Sequence, residues 1–357
     1  RLALATDFPV VPLKRLPKDP RNLILLNSNE NAYGPSPAAR EAMMEGFEVA
    51  CRYPDFYLDH LQTRLAEYHG VDPGEVVVTA GSTELLKMCA YAFLGQGQRL
   101  VQASPTFEAL ARNARMVDAE VIKIPLDKDY GHDLDAMAEA AQVRPGLVYL
   151  CNPNNPTGSY VLRDEVRRLR VGLPGDVLLV LDAAYAEYVT AEDYSPGVEL
   201  VDAGDNVVMT RTFSKLFGLA SLRIGWAYCP PGVADVLNRL RNPFNVTGPA
   251  QAAGTAAVED VEFADKARAH NNLWLPWLAD RLSALGLHVY PSIANFVLVR
   301  FPAGPGRDAG AANGFLNDKG IIVREVAGYG LPDCLRVTVG LEEEMRAVVD
   351  ALAEFVD

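Results

Sequence analysis

Short apolar runs alternate with helical patterns between residues 75 and about 230, and no other feature restricts the possible folds as strongly. The runs are EVVVTA, RLVQA, EVIKIP, GLVYLC, DVLLVLD and NVVMTR. Short strands that are apolar throughout and separated by helices are typical of a mostly parallel sheet that is covered on both faces. The pattern therefore predicts a large α/β domain.

The C-terminal part has a different pattern. A long amphipathic segment over 261–285 predicts a helix, and LHVYPS, NFVLVRF, GIIVRE and LRVTVG predict strands before a last helix. This mixture favours a smaller α+β domain. We expect an N-terminal arm that also supplies part of the small domain, a large ligand-binding domain and a small C-terminal domain, over 1–44, 45–250 and 251–357.

Composition excludes several classes of function. The net charge of −13 argues against nucleic-acid or anionic-membrane binding, and no apolar run approaches the roughly 20 residues of a membrane span. The five cysteines are odd in number and form no CxxC pair, which favours a reducing cytoplasm over a disulfide framework. The five histidines show no ligand spacing, so we expect no metal site.

Polar residues follow two of the predicted strands, where an open α/β sheet binds ligands. Gly81, Ser82 and Thr83 open a helix after EVVVTA. They either offer backbone N–H groups to a phosphate or form an ordinary helix cap. Asn155 lies in the NPNNPTG loop after GLVYLC. This loop either aims the Asn155 amide at a ligand or is only a rigid turn.

Charged residues follow two further strands. Asp182 ends DVLLVLD, and Tyr185 follows three residues later. A buried carboxylate at this position needs a partner, which is either a cationic ring nitrogen or the N-terminus of the next helix, which it would cap. Lys215 lies in the small and apolar stretch RTFSKLFGLASLRIGW. A buried lysine loses proton affinity and becomes a nucleophile, whereas an exposed lysine is a solvated charge. Arg223 in the same stretch suits bidentate phosphate contact or a surface ion pair.

Taken together, these residues supply an amine for an aldehyde, a carboxylate for a ring nitrogen, an amide and a phenol for a ring oxygen, and a phosphate cradle. Pyridoxal phosphate needs this set of groups. The joint pattern therefore favours a pyridoxal-phosphate site, although each motif alone has an ordinary structural explanation.

Motifs along nearly the whole chain carry a family resemblance. They are LNSNENAYGPSP, RYPD, AGSTE, SPTF, CNPNNPTG, LDAAYAEY, RTFSKLFGLASLRIGW, RNPFNV, YPSIANFVLVRF and GYGLPDCLRVTVG. The chain resembles the fold-type I, class I and II aminotransferases, and within them the histidinol-phosphate aminotransferase family. NENA stands where the family usually has NENP, and DAAY where it usually has DEAY. The first change lies in the substrate arm and concerns specificity.

The resemblance implies a role for each cofactor-binding residue. Lys215 resembles the lysine that holds the cofactor aldehyde, Asp182 the partner of the pyridine nitrogen, and Asn155 and Tyr185 the partners of the ring hydroxyl. Phe107 stands where the family stacks an aromatic ring on the pyridine. The implied phosphate site consists of Gly81, Ser82, Thr83, Thr212, Ser214 and Arg223.

The resemblance also implies partners. Tyr53 in RYPD resembles a residue that reaches the phosphate of the neighbouring subunit, which implies a homodimer with shared active sites. Arg336 resembles the family's carboxylate-binding arginine. Substrate contacts are also implied for Arg324, Asn31 and Tyr33.

The expected activity is transfer of an amino group from histidinol phosphate to 2-oxoglutarate, in histidine biosynthesis. The alternatives are an aromatic amino-acid donor, or decarboxylation or oxidation of an amino acid on the same scaffold, because fold alone does not fix function. A pyridoxal-binding regulator without turnover is a further class, but its usual basic DNA-binding segment is not found in the sequence.

Overall fold

The computed structural model describes residues 23–143, 146–204, 206–304 and 306–357. The strands are β1 (Ile24–Leu26), β2 (Val76–Thr79), β3 (Arg99–Ser104), β4 (Glu120–Pro125), β5 (Leu147–Cys151), β6 (Leu178–Asp182), β7 (Val207–Thr212), β8 (Gly225–Tyr228), β9 (His288–Tyr290), β10 (Phe296–Arg300), β11 (Ile321–Glu325) and β12 (Cys334–Thr338).

Most of the longer helices begin where the sequence offers a side-chain cap or a proline. Ser36, Asp133, Thr247, Asp260 and Asp308 each accept a hydrogen bond from a backbone N–H of the following first turn. The α-helices are α1 (Pro37–Glu48), α2 (Asp59–His69), α3 (Ser82–Phe93), α4 (Ala109–Met116), α5 (Leu134–Ala140), α6 (Arg163–Gly172), α7 (Val198–Ala203), α8 (Pro231–Leu240), α9 (Gly248–Glu259), α10 (Val261–Ala284), α11 (Ala309–Asp318) and α12 (Glu342–Val356).

The larger sheet has seven strands in the order β2-β8-β7-β6-β5-β3-β4. The pairs from β7 to β4 are parallel, and β8 is antiparallel to both of its neighbours. The prediction of a mostly parallel sheet is therefore confirmed. Because β8 is reversed, β2 and β7 run in the same direction, and their carboxyl ends lie at one edge together with those of β5 and β6.

Two apolar cores cover the faces of this sheet. Along β5, Leu147 and Tyr149 belong to one core, and Val148 and Leu150 to the other. This alternation explains why the strand is apolar throughout, since successive side chains point to opposite faces and both faces are buried.

The smaller sheet has five strands in the order β1-β11-β12-β10-β9. The N-terminal strand β1 joins it in parallel, with Ile24 opposite Ile321. Helices α10, α11 and α12 pack on it around Trp274, Leu316 and Val348. Helix α9 instead packs into a core of the larger sheet, through Ala250 and Ala253. The domain boundaries at residues 44 and 250 stay predictions.

Within the described ranges, no helix combines the length and the apolar character that a membrane crossing requires.

Candidate active site

The polar residues singled out from the sequence converge at the common carboxyl edge of β2, β5, β6 and β7. They lie in the turn before α3, in the loop after β5, at the end of β6 and in the turn after β7. A ligand-binding cleft is expected at this edge, because loops there can leave the sheet in different directions.

Lys215 lies in the turn after β7 and is half-buried. Its Nζ donates a 2.9 Å hydrogen bond to the backbone oxygen of Ser28 in the N-terminal arm. Burial lowers the pKa of the Lys215 amine to about 7. The positive charges of Arg336 and Arg223 lower this pKa as well, whereas the negative charges of Glu30 and Asp182 raise it. An amine with this pKa is neutral in a large fraction of molecules at neutral pH, so it can act as a base or a nucleophile.

Gly218 allows the arm to come this close to the lysine turn. A Cβ atom on Gly218 would lie 2.1 Å from the backbone oxygen of Gly34, and the φ angle of Gly218 is +68°. A side chain at this position would push the arm away, so the LFGLAS stretch needs glycine here.

Asp182 is 2% exposed at the end of β6. Its carboxylate accepts hydrogen bonds from Tyr149 Oη at 2.8 Å and Thr210 Oγ1 at 3.3 Å. Burial raises the pKa of Asp182, while these hydrogen bonds, a backbone contact at Ala184 and the Lys215 charge oppose the shift. The next short helix, Ala186–Tyr188, begins after Tyr185 and has no side-chain cap. Asp182 is therefore a buried acid rather than a helix cap.

The Tyr185 hydroxyl accepts a 2.9 Å hydrogen bond from Nδ2 of Asn29. The Lys215 amine lies 5.7 Å from the centre of the Tyr185 ring. The phenol and the amine therefore face the same space beyond the strand ends.

Asn155 and Arg336 join the two sheets at this space. Arg336 Nη1 donates a 2.5 Å hydrogen bond to Asn155 Oδ1, and Nη2 donates one of 2.9 Å to the backbone oxygen of Asn27. Arg336 Nε is buried and has no hydrogen-bond partner among the described residues. Burial lowers the pKa of Arg336, and the Arg324 charge acts in the same direction. An anionic ligand would satisfy this guanidinium.

The turn before α3 and the Arg223 guanidinium form a cradle for an anion. Gly81 precedes the helix with φ +82°, and a Cβ on it would lie 2.5 Å from Arg223 Nη2. Arg223 Nη1 donates a 3.1 Å hydrogen bond to Ser214 Oγ, and the Ser214 backbone N–H donates to Thr212 Oγ1. The backbone N–H groups of Ser82 and Thr83 lie at the N-terminus of α3, where Gly81 provides no side-chain cap and the helix end favours an anion.

The other predicted site residues have the following contacts. The Asn31 amide donates to the backbone oxygen of Leu216, and the Tyr33 hydroxyl lies 3.0 Å from His270 Nδ1. Phe107 is half-buried against the core that contains Tyr149. Tyr53 is 83% exposed and stacks on Phe244 with ring centres 4.6 Å apart.

Arg324 lies beside Arg336, because the two residues are directly opposite on the antiparallel strands β11 and β12. Opposite residues in such a pair project from the same face of the sheet. Arg324 is exposed and makes no ion pair within the described ranges. Among the described residues, no acid therefore forms the surface ion pair that was the alternative for Arg324.

Sequence reasoning missed four side chains, namely Asn29, Tyr149, Thr210 and Thr338. A signal existed for Tyr149, whose hydroxyl is the one oxygen-bearing side-chain group in the apolar run GLVYLC. Asn29 lies two residues before Asn31 in the arm, and nothing in the local pattern separates them.

The residues present fit pyridoxal phosphate. A buried carboxylate, an amine of lowered pKa and an anion cradle converge in the cleft, and an unpartnered guanidinium nitrogen is buried beside Asn155. In the described parts of the chain, no three His, Cys, Asp or Glu side chains group as metal ligands would.

Comparison with known proteins gives concordant matches. The model of the family described as aminotransferase class I and II matches residues 21–352. The chain is 50% identical to the histidinol-phosphate aminotransferase of Paramagnetospirillum magneticum, over 94% of this chain and 92% of that protein.

Two solved structures are similar along almost all of their length. The crystal structure of histidinol-phosphate aminotransferase from Sinorhizobium meliloti in complex with pyridoxal-5'-phosphate has a TM-score of 0.87 at 27% identity, and the match covers 100% of this chain and 99% of that chain. The L-threonine-O-3-phosphate decarboxylase from Porphyromonas gingivalis has a TM-score of 0.80 at 25% identity, over 94% and 99%.

Proposed function

The chain belongs to the class I and II aminotransferases, and we propose that it uses pyridoxal phosphate to move the amino group of histidinol phosphate to 2-oxoglutarate. The observation that carries this proposal is the Lys215 amine, whose pKa is lowered to about 7 by burial and which lies 5.7 Å from the centre of the Tyr185 ring. The relative at 50% identity, a histidinol-phosphate aminotransferase, supports the choice of substrate.

Each end of the cofactor has a matching set of groups. The phosphate suits the cradle of Arg223, Ser214 and the N-terminus of α3. The ring nitrogen suits Asp182, and the ring hydroxyl suits Asn155 and Tyr185. When bound, pyridoxal phosphate supplies an aldehyde for the substrate amine and a ring that accepts electrons from the substrate Cα.

Lys215 moves the proton. With the cofactor held by a substrate amine, the Lys215 Nζ atom would be free and neutral, since burial favours its uncharged form. A neutral Nζ would serve as the base that takes the proton from the substrate Cα and as the acid that gives it back. The Ser28 carbonyl, which accepts a hydrogen bond from Nζ, is suited to hold the amine in the cleft.

Asp182 keeps a proton on the ring nitrogen. Its carboxylate is already oriented by the Tyr149 and Thr210 hydroxyls, so little reorganisation is needed when a cationic partner arrives. Such a partner also relieves the cost of a buried carboxylate, which is the cause of the raised pKa of Asp182.

Arg336 and Arg324 suit the substrate anions. Both project from one face of the small sheet, and no described acid pairs with Arg324. Two neighbouring guanidiniums attract a dianionic phosphate or a carboxylate. We assign the carboxylate of 2-oxoglutarate to Arg336 and the phosphate of histidinol phosphate to Arg324 with Arg336.

We further propose a cytoplasmic homodimer in which Tyr53 reaches the phosphate of the neighbouring site. Tyr53, Phe56 and Phe244 form an exposed aromatic cluster near Arg241, which suits contact with a second copy. Asn31 and Tyr33 remain proposed as arm residues that close over the substrate.

A decarboxylase reaction is the second candidate, because an amino-acid-phosphate decarboxylase shares the fold. An aromatic amino-acid donor and an oxidase reaction remain further alternatives. A panel of histidinol phosphate, aromatic amino acids and threonine phosphate with 2-oxoglutarate distinguishes them. Glutamate forms only in transamination, and carbon dioxide only in decarboxylation. Fastest glutamate formation from histidinol phosphate supports the proposal, and carbon dioxide without glutamate contradicts it.

A further inference from the structure

Asn29 is the most deeply buried polar residue of the described arm. It is 1% exposed, lies far in sequence from its partners, and has a φ angle of +55°. This left-handed conformation is tolerated by Asn and Asp better than by most residues. A buried amide in such a conformation needs hydrogen bonds to stabilise it.

The partners of Asn29 lie on both sheets. Its backbone N–H donates to Thr338 Oγ1 at 3.0 Å, and its Oδ1 accepts from the same hydroxyl at 3.1 Å. Its Nδ2 donates to Tyr185 Oη at 2.9 Å. Thr338 lies two residues after Arg336 on β12, so Asn29 joins the strand of the substrate arginine to the phenol beside Lys215.

The Asn29 amide has its oxygen toward Thr338 and its nitrogen toward Tyr185. The Thr338 hydroxyl is 3% exposed, accepts from the Asn29 backbone N–H and donates its one proton to the side-chain oxygen of Asn29. The amide nitrogen donates to Tyr185 Oη. Since Tyr185 Oη accepts this bond, its own proton points elsewhere, and no group in the described chain accepts it.

We propose that Asn29 is a positioning residue that forces the Tyr185 hydroxyl to donate its proton into the cleft, toward the ring oxygen of the cofactor. This inference rests on the proposed function. A phenol that donates to the ring oxygen stabilises the deprotonated form of that oxygen. Loss of the donor therefore raises the pH at which the bound cofactor changes its visible absorbance.

Asn29→Asp is the sharpest variant. Asp keeps the left-handed conformation and an oxygen for Thr338, but it replaces the N–H donor with an acceptor. The Tyr185 proton then turns toward the new carboxylate and away from the cofactor. We expect the midpoint of the visible absorbance titration to rise by about one pH unit, as for the loss of one strong hydrogen bond.

Two controls separate positioning from other effects. In a Tyr185→Phe background, Asn29→Asp can act only through its added charge, so we expect a much smaller shift there. Thr338→Val breaks the other contact of Asn29 but keeps the Asn29 N–H donor, so we expect a lower melting temperature and a midpoint shift clearly smaller than that of Asn29→Asp. Melting temperatures of all variants report any general loss of structure.

The outcomes are distinct. If Asn29→Asp shifts the midpoint of the absorbance titration equally in the parent protein and in the Tyr185→Phe protein, the positioning role is overturned. This holds even if the protein transaminates normally. The same holds if Asn29→Asp titrates like the parent protein. A parent protein that binds no pyridoxal phosphate overturns the proposed function itself, and this inference with it.

Discussion

The guanidinium of Arg336 donates a 2.5 Å hydrogen bond to the side-chain oxygen of Asn155, across the boundary between the two sheets. One end of this contact lies on β12 of the small sheet, and the other lies in the loop after β5 of the large sheet. The proposed substrate anion on Arg336 would thereby be held at a fixed position relative to the residues that surround Lys215.

Arg324 and Arg336 are predicted to contribute differently to substrate specificity. Arg336→Ala should impair both half-reactions, since both substrates place an anion there. Arg324→Ala should impair histidinol phosphate far more than an aromatic amino acid, by about 10- to 150-fold in kcat/KM for one charged hydrogen bond of roughly 1.5–3 kcal/mol. Arg324→Lys is the matched control that keeps the charge. Equal losses for the two amines would remove Arg324 from phosphate recognition.

Lys215 is predicted to carry the cofactor. Borohydride reduction should fix pyridoxal phosphate to this residue, as located by peptide mass mapping. Lys215→Ala should lower turnover by about 10⁴-fold or more, because both the covalent partner and the base are lost. Lys215→Arg tests whether charge alone suffices and should be equally inactive. A reduced adduct on a different lysine would refute the assignment.

The lowered pKa of Lys215 predicts a pH dependence of stability in the cofactor-free protein. The folded amine loses its proton near pH 7, whereas the unfolded amine keeps it up to about pH 10.5. Between these values the unfolded chain binds more protons, so this residue makes the free energy of unfolding rise with pH. Lys215→Met should therefore exceed the parent protein in free energy of unfolding by the largest amount near pH 7. This difference should disappear toward pH 10.5. Urea unfolding of both proteins at several pH values measures this difference. A difference that does not change with pH would contradict the lowered pKa of Lys215.

Asp182→Asn is predicted to separate stability from activity. Burial raises the pKa of the Asp182 carboxyl, so this residue's contribution to the stability of the cofactor-free protein falls as pH rises through that raised pKa. The neutral amide introduced by Asp182→Asn should therefore raise the melting temperature of the cofactor-free protein at pH 7. Turnover should fall by about 100-fold or more, since the ring nitrogen loses its anionic partner, while cofactor binding persists. Near-normal turnover would be incompatible with the proposed role.

Tyr53 is predicted to act across a subunit boundary. Its side chain is 83% exposed, which is unusual for an aromatic residue with a proposed cofactor contact. Tyr53→Ala and Lys215→Ala proteins, mixed and allowed to exchange subunits, should recover up to about one quarter of full activity, since half of the dimers then contain one intact site. Each variant incubated alone is the control. A fully active monomer by light scattering would exclude shared sites.

Some of the site could be predicted because its signals are local. Lys215, Asp182, Asn155 and Ser82 each lie at the end of an apolar run or within about four residues after it, and parallel strands bring their carboxyl ends to one edge. Strand and helix patterns depend on neighbouring residues, so the order of elements followed from the sequence as well.

Other parts could not be predicted, because they depend on contacts between distant segments. Asn29 is 156 residues from Tyr185 and 309 from Thr338, and no local pattern connects these positions. The reversed direction of β8 and the parallel pairing of β1 with β11 were likewise not specified by the strand patterns.

The sequence by itself determined the α/β fold and the chemical groups at the strand ends, because periodicity and burial of single strands are short-range properties. The tertiary structure alone decided the chemical state of those groups. Lys215 has a lowered pKa only because the arm, Arg336 and the strand ends enclose it, and desolvation depends on everything packed around a charge, however distant in sequence.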